Sequence, residues 1–197
     1  YNMATNKQLK DRIKALIEEF ARLRVGRESL LNMIDEAEVP EAVYNSNAIE
    51  NSTLTLKETE KILLDMDVSR EVSVREVFEA KNLARVTAFI RDKAKSQDLD
   101  KELVLLLHKM LIGGINDDIA GRFRTGGEYV RVGTHIAPAP ERIERMIESI
   151  FSEYTSGHEG YFLDKISRFH LEFEHIHPFI DGNGRIDSID LPVKQHR

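Results

Sequence analysis

"HPFIDGNGR", residues 177–185, comes directly after a run of apolar residues that recur every three or four positions. That run predicts an amphipathic helix over 161–176. The helix ends at or before His177, because the proline that follows disfavours a helical conformation in the residue preceding it. Gly-Asn-Gly at 182–184 then allows positive φ values and a close approach of the backbone to a ligand. The stretch therefore predicts a loop between two helices, anchored in the core by Phe179.

The same nine residues carry groups typical of a phosphate-transfer site. If a helix begins at residues 183–184, its free amides and Arg185 would form an anion site. Asp181 fits beside such a site when Mg²⁺ lies between its carboxylate and a phosphate. His177 is the candidate base, since an unperturbed imidazole titrates near pKa ~6.5. The residues indicate phosphoryl or nucleotidyl transfer to a hydroxyl, and the alternative is an ordinary turn beside a structural histidine.

The chain before this stretch also predicts helices. Thr55 with Glu58 and Ser73 with Glu76 have the spacing of capping boxes, which open two helices. Residues 100–114 predict a buried helix that two glycines close.

Further segments complete a mainly α prediction. Branched and aromatic residues between glycines at 126–138 predict a small β-hairpin or an extended flap. Pro140 is placed to open the next helix. Apolar spacing over 9–23 predicts a long amphipathic helix, whereas Pro40 predicts a break before a short helix at 41–51. We therefore expect an α-helical bundle with one small β-hairpin.

Composition narrows the class of protein. The 197 residues include no cysteine, which excludes disulfides, thiolate metal sites and cysteine nucleophiles. No apolar run approaches the roughly 20 residues that a membrane helix needs. The net charge of −6, with acids and bases interspersed, argues against a nucleic-acid surface in this segment. We expect a cytoplasmic protein with neither a membrane segment nor a nucleic-acid partner.

Three segments together resemble the Fic family. HPFIDGNGR fits the signature of that family, histidine–x–Phe–x–acid–Gly–Asn–Gly–Arg, without a mismatch. SNAIEN, residues 46–51, resembles the inhibitory helix motif of the family, and YVRVGTHIAPAP, residues 129–140, resembles its flap. Their order is that of the subgroup whose inhibitory helix precedes the catalytic core. The resemblance covers about 40–186.

The resemblance implies an autoinhibited protein adenylyltransferase, which moves AMP from Mg-ATP to a Ser, Thr or Tyr hydroxyl of a target protein and releases pyrophosphate. It assigns His177 as the base and Asp181 as the ligand of the Mg²⁺ that bridges the nucleotide phosphates. The anion hole around the phosphates is implied to consist of Gly182, Asn183, Gly184 and Arg185. Flap residues implied to lie near the nucleotide and the target peptide are Val132, Gly133, Thr134 and His135.

The resemblance also implies regulation. Ser46 and Glu50 belong to the inhibitory motif, and Glu50 would reach the phosphate site and block placement of the γ-phosphate. In some relatives this glutamate also supports the removal of AMP from targets, so this reverse activity is part of the expectation. A homodimer is left open.

The prediction divides the chain into an N-terminal helical extension (1–39), an inhibitory segment (40–54) and a catalytic core (55–197). Alternatives are a Doc-like kinase on the same scaffold, or a nucleotide- or partner-binding remnant. The remnant is considered because Ser188 stands where the family motif has a second arginine, the usual partner of the inhibitory glutamate. We favour the explanation that the residues after Ile186 are not contiguous with the motif in the natural sequence.

Overall fold

The computed structural model of the protein describes residues 6–93, 99–155 and 161–189. Its secondary structure is mainly helical, as the sequence predicts. The elements in chain order are α1 (Lys7–Leu23), α2 (Glu28–Ile49), α3 (Leu56–Leu63), α4 (Val74–Lys93), α5 (Lys101–Ile112), β1 (Arg131–Val132), β2 (His135–Ile136), α6 (Pro140–Thr155), α7 (Phe162–Ile176) and α8 (Asn183–Asp187).

Local sequence signals position several of these helices. The Thr55 side chain accepts a hydrogen bond from the amide of Glu58, whose carboxylate returns to Thr55, so the predicted capping box opens α3. Ser73 and Glu76 make the same reciprocal bonds before α4. Pro140 begins α6, as expected for a proline in the first helical position.

The core lies around α5, which packs against α4, α6 and α8. The short helix α8 also contacts α2 and α7, so three long helices surround it. Burial of the apolar faces of these helices is the main stabilising contribution, at roughly 25 cal/mol per Å² of apolar surface. Fully buried side chains near α8 are Leu107, Leu111, Ile112, Ile176, Phe179 and Ile186.

One prediction about local structure is wrong. Pro40 lies inside α2 and does not break it, and the boundary drawn at residue 39 falls within this helix. The helix continues because its C-terminal half packs against α3, α4 and α8, and such packing outweighs one lost backbone hydrogen bond. The small β-hairpin predicted at 126–138 is confirmed: its two strands are two residues long, and Arg131 pairs with Ile136 and Val132 with His135.

Across the part of the chain that the structure describes, no helix combines the length and apolar character required to span a bilayer.

Candidate active site

The loop between α7 and α8 is a rigid, internally bonded turn. His177 caps α7 in the left-handed conformation, with φ 49° and ψ 64°, and Gly182 precedes α8 with φ 80°. Phe179 is fully buried, as predicted. The Asn183 amide accepts from the Phe179 amide and donates to the Phe179 carbonyl, both at 2.9 Å. The Asn183 side chain therefore shapes the loop, and only its main-chain N–H is available to a ligand.

His108, on α5, contacts the loop between α7 and α8. Its Nδ1 accepts a hydrogen bond from the Gly121 amide at 3.0 Å, so its Nε2 carries the proton and donates to the Asp181 carbonyl at 3.0 Å. The ring also stacks on Phe179, with centroids 3.7 Å apart. Burial lowers the pKa of His108 to about 4, so this imidazole is neutral at pH 7. This role of His108 was not predictable from the sequence, in which it is one residue of an apolar helix.

Arg124 supports the loop from the side of the hairpin. Its side chain is 1% exposed, and it donates to the carbonyls of His177 (2.8 Å), Ile176 (3.1 Å) and Pro138 (2.8 Å). Carbonyls at a helix C-terminus lack intrahelical donors, so a buried guanidinium satisfies several of them at once. Arg124 thereby joins the end of α7 to the chain that leaves the hairpin.

His177 lies at the end of α7 with its side chain 13% exposed. Its Nδ1 is buried, and the Oε2 of Glu174 lies 3.8 Å away. Burial lowers the pKa of His177, with smaller lowering effects from Arg124 and His135, while Glu174 raises it. The net shift keeps the imidazole unprotonated at neutral pH, which is the form that a general base requires.

The other end of the loop holds a cluster of charged side chains around the buried Arg185. Arg185, 1% exposed, contacts Asp181 at 3.0 Å and Glu79 at 3.4 Å. Arg75 contacts the second Asp181 oxygen at 2.5 Å. The two guanidinium groups lower the pKa of Asp181 despite its burial, so this carboxylate is ionised. Arg75 and Glu79, both on α4, were not expected from the sequence.

Glu50 occupies the anion position at the start of α8. Its Oε1 accepts from the amide of Arg185 at 3.3 Å, and its Oε2 pairs with the Arg185 guanidinium. Glu50 Oε1 also lies 3.3 Å from where a Cβ on Gly184 would be, so the absence of a side chain at Gly184 makes room for the carboxylate. The predicted anion site thus contains an anion from the chain itself.

Ser188 and Ser46 make the second contact between α2 and α8. Their hydroxyl oxygens lie 2.5 Å apart, and Ser188 also donates to the Arg185 carbonyl at 3.0 Å. Main-chain bonds from Ile186 to Gly182 and from Ser188 to Gly184 continue α8 past the motif without a break. Glu50 therefore finds its arginine partner within the motif, at Arg185.

The hairpin reaches the end of α7 through His135. Its Nε2 lies 3.0 Å from the carbonyl of His175, and the two imidazole rings are 4.8 Å apart. Val132 is exposed, and Gly133 and Thr134 form the exposed turn between β1 and β2. The structure thus brings one of the four predicted flap residues into contact with the helix that carries His177.

Within 6–93, 99–155 and 161–189, no group of three or more His, Asp or Glu side chains is placed to hold a metal ion. Both oxygens of Asp181, the predicted metal ligand, are paired with arginines.

We expect Gly182→Ala to destabilise the protein by about 1–3 kcal/mol, because it adds a strained backbone and a crowded methyl group. A Cβ at Gly182 would lie 3.0 Å from Ile112 and 3.3 Å from Leu111. Gly26 also has a positive φ, 74°, but has open space around it, so Gly26→Ala carries only the backbone cost. Urea unfolding of the two variants measures the difference, and equal losses would contradict the packing argument.

Comparison with known proteins gives a consistent result. The Fic/DOC family model matches residues 98–189. A Nematostella vectensis protein named protein adenylyltransferase Fic is 27% identical over 185 residues, which are 91% of this chain and 42% of the relative. The Drosophila melanogaster protein of the same name is 29% identical over 150 residues, 75% of this chain and 30% of the relative. The chain therefore spans less than half the length of these relatives.

The fold is similar to that of solved structures. A Fic family protein from Desulfovibrio desulfuricans G20 superposes with a TM-score of 0.76 and 28% sequence identity, over 94% of this chain and 56% of that one.

Proposed function

We propose that the protein transfers AMP from ATP to a hydroxyl group of a protein substrate, since the Fic/DOC family model matches residues 98–189. The observation that carries this proposal is one loop, 177–185, which has an unprotonated imidazole at one end and an anion-binding helix start at the other. The names of the adenylyltransferase relatives support the same chemistry.

His177 acts as the general base. It removes the proton from the target hydroxyl as that oxygen attacks the α-phosphorus of ATP. A new P–O bond forms to the target, the bond between the α-phosphorus and the bridging oxygen breaks, and pyrophosphate leaves. A positioned base of this kind contributes typically 10²- to 10⁴-fold to the rate.

The start of α8 and Arg185 bind the phosphates. The first three amides of a helix have no intrahelical acceptor, and here they belong to residues 183–185. Together with the guanidinium they supply fixed donors for the charge that develops at the phosphates, and each such donor is worth ~3 kcal/mol in comparable oxyanion sites.

ATP enters such a site as its magnesium complex, and Asp181 is the residue that fits the ion. Magnesium is commonly held by one or two carboxylates together with phosphate oxygens, so a single ionised carboxylate beside an anion site is adequate. Arg75 and Arg185 each contact one Asp181 oxygen, and the remaining lone pairs of this carboxylate would hold the ion.

Glu50 makes the described state an inhibited one. Its carboxylate lies on the amide and the guanidinium of Arg185, where a phosphate of ATP would bind. A phosphate placed about 4 Å from this carboxylate would be repelled by ~4 kcal/mol at an effective dielectric near 20. Removal of AMP from a modified target, with Glu50 assisting, remains part of the proposal.

The exposed hairpin is the proposed docking site for the protein substrate. Val132 and Ile136 lie exposed on its two strands, and His135 ties it to the end of α7. A target segment that pairs along such an edge would present its hydroxyl near His177.

We expect the Glu50→Gly protein, incubated with α-labelled and γ-labelled ATP in turn, to retain label on protein only from the α position. Mass spectrometry should show the mass of AMP on a hydroxyl side chain. Label retained only from the γ position would show that the protein transfers phosphate, as a kinase does, and would contradict the proposal. Bound ATP with no product from either label would identify a nucleotide-binding remnant.

A further inference from the structure

Four ionisable side chains lie close together at the ends of α7 and α8, and one of them is the proposed base. Glu174 and His170 lie on α7, Asp187 lies on α8, and His177 ends α7. Asp187 Oδ2 is 2.6 Å from His170 Nδ1, and the Glu174 carboxylate is close enough to raise the pKa of Asp187. Glu174 Oε2 in turn lies 3.8 Å from His177 Nδ1. The chemistry proposed above uses only the last of these four groups.

The orientation of the His177 ring is explained by Glu174. Nδ1 is buried and has no hydrogen bond of good geometry among the described residues. The groups that face it are the carbonyl and the carboxylate of Glu174, and both are acceptors. A nitrogen that faces two acceptors carries the proton, which leaves the lone pair on Nε2.

The second oxygen of Glu174 shows which state Asp187 is in. Glu174 Oε1 is buried and receives no hydrogen bond from any N–H or hydroxyl of the described residues. Asp187, whose side chain is 8% exposed, can satisfy it only as a neutral carboxyl that donates its proton. Burial and the neighbouring Glu174 carboxylate raise the pKa of Asp187 to about 8, which agrees with this geometry.

We infer that Glu174 is the positioning residue of the base: it holds Nδ1–H of His177, directs Nε2 at the target hydroxyl and stabilises the imidazolium that forms, while the Asp187 carboxyl fixes Glu174 by donating to its second oxygen. This inference rests on the proposed function for its kinetic consequences, but not for its effect on His177. The distance of 3.8 Å exceeds that of a hydrogen bond, and such contacts often tighten when a substrate is bound.

The signs of the expected pH effects follow from the groups around His177. Glu174 raises the pKa of His177, whereas burial, Arg124 and His135 lower it. Glu174→Gln keeps the shape of the side chain and removes its charge, so the pKa of His177 should fall further. The acid limb of the rate profile should move with it to lower pH, and kcat should fall at least about 10-fold with KM for ATP little changed.

The ionisation of Asp187 predicts that the transfer rate falls at alkaline pH. In the native protein its proton is lost near pH 8, and two adjacent carboxylates then repel each other and displace Glu174. Asp187→Asn retains a donor to Glu174 and an acceptor for His170 but cannot ionise, so the alkaline limb near pH 8 should disappear in this variant. Glu172→Gln, which makes the same charge change on the same helix, serves as the control.

The test measures His177 directly, by NMR titration of histidine-labelled protein without ATP, with assignment from His177→Asn. We expect an Nδ1–H tautomer in the native protein and a lower pKa in Glu174→Gln but not in Glu172→Gln. An unchanged tautomer and pKa in Glu174→Gln would overturn the inference, as would a loss of kcat without any shift of the acid limb. The titration needs no transfer activity. A failed AMP-transfer assay would therefore reject the proposed function, while the titration would still test the contact between Glu174 and His177.

Discussion

Replacing Glu50 by glycine is expected to raise AMP transfer roughly 10- to 100-fold, measured as α-label incorporated at saturating Mg-ATP. The carboxylate lies on the amide and guanidinium of Arg185, so it competes with the phosphates for the same donors. The repulsion of ~4 kcal/mol given above corresponds to a larger factor, but rearrangement of the loop relieves part of it. Arg185 is not left unpaired, because Asp181 and Glu79 still contact it.

Two further variants separate charge from shape. Glu50→Gln keeps the length of the side chain and should also raise transfer if the charge is what excludes the phosphate. Glu41→Gln changes an exposed glutamate of the same helix and should leave the rate unaltered. A rate for Glu50→Gly and Glu50→Gln no higher than that of the native protein, in a protein that binds ATP, would contradict autoinhibition by this residue.

The part of the fold set by local rules was predictable from the sequence. Three of these signals each involve residues within one or two helical turns of each other. They are the apolar spacing of α7 before His177, the capping box at Thr55 and the proline at the start of α6. Such signals depend on backbone hydrogen bonds and helical periodicity, which nearby residues decide. The loop was predictable for the same reason, since proline and glycine restrict or release φ at fixed positions.

What the sequence could not predict depends on partners far apart in the chain. Arg124 reaches the carbonyls at the end of α7 across 53 positions, and Glu50 reaches Arg185 across 135. Pro40 was misjudged because its local effect is known, whereas the packing that keeps α2 continuous comes from three other helices.

The charge cluster around Arg185 shows how the site depends on elements that no motif identifies. Arg75 and Glu79 come from α4, one helical turn apart, and contact Asp181 and Arg185 respectively. Removing one partner from a buried ionic group leaves the others uncompensated, so these residues act as a unit.

Loss of the imidazole should have the larger effect in the opposite direction. We expect His177→Ala and His177→Asn, each in the Glu50→Gly background, to lower AMP transfer by about 10³-fold or more while ATP binding persists, because the base is lost and the anion site is kept. Asparagine tolerates the left-handed conformation that His177 adopts, with φ 49°, better than alanine does, so it is the better test of chemistry alone. Transfer is measured with α-labelled ATP, and binding by calorimetry. Full transfer in His177→Asn would reject His177 as the base, whereas joint loss of binding and transfer would show that His177 holds the loop and does not act on the hydroxyl.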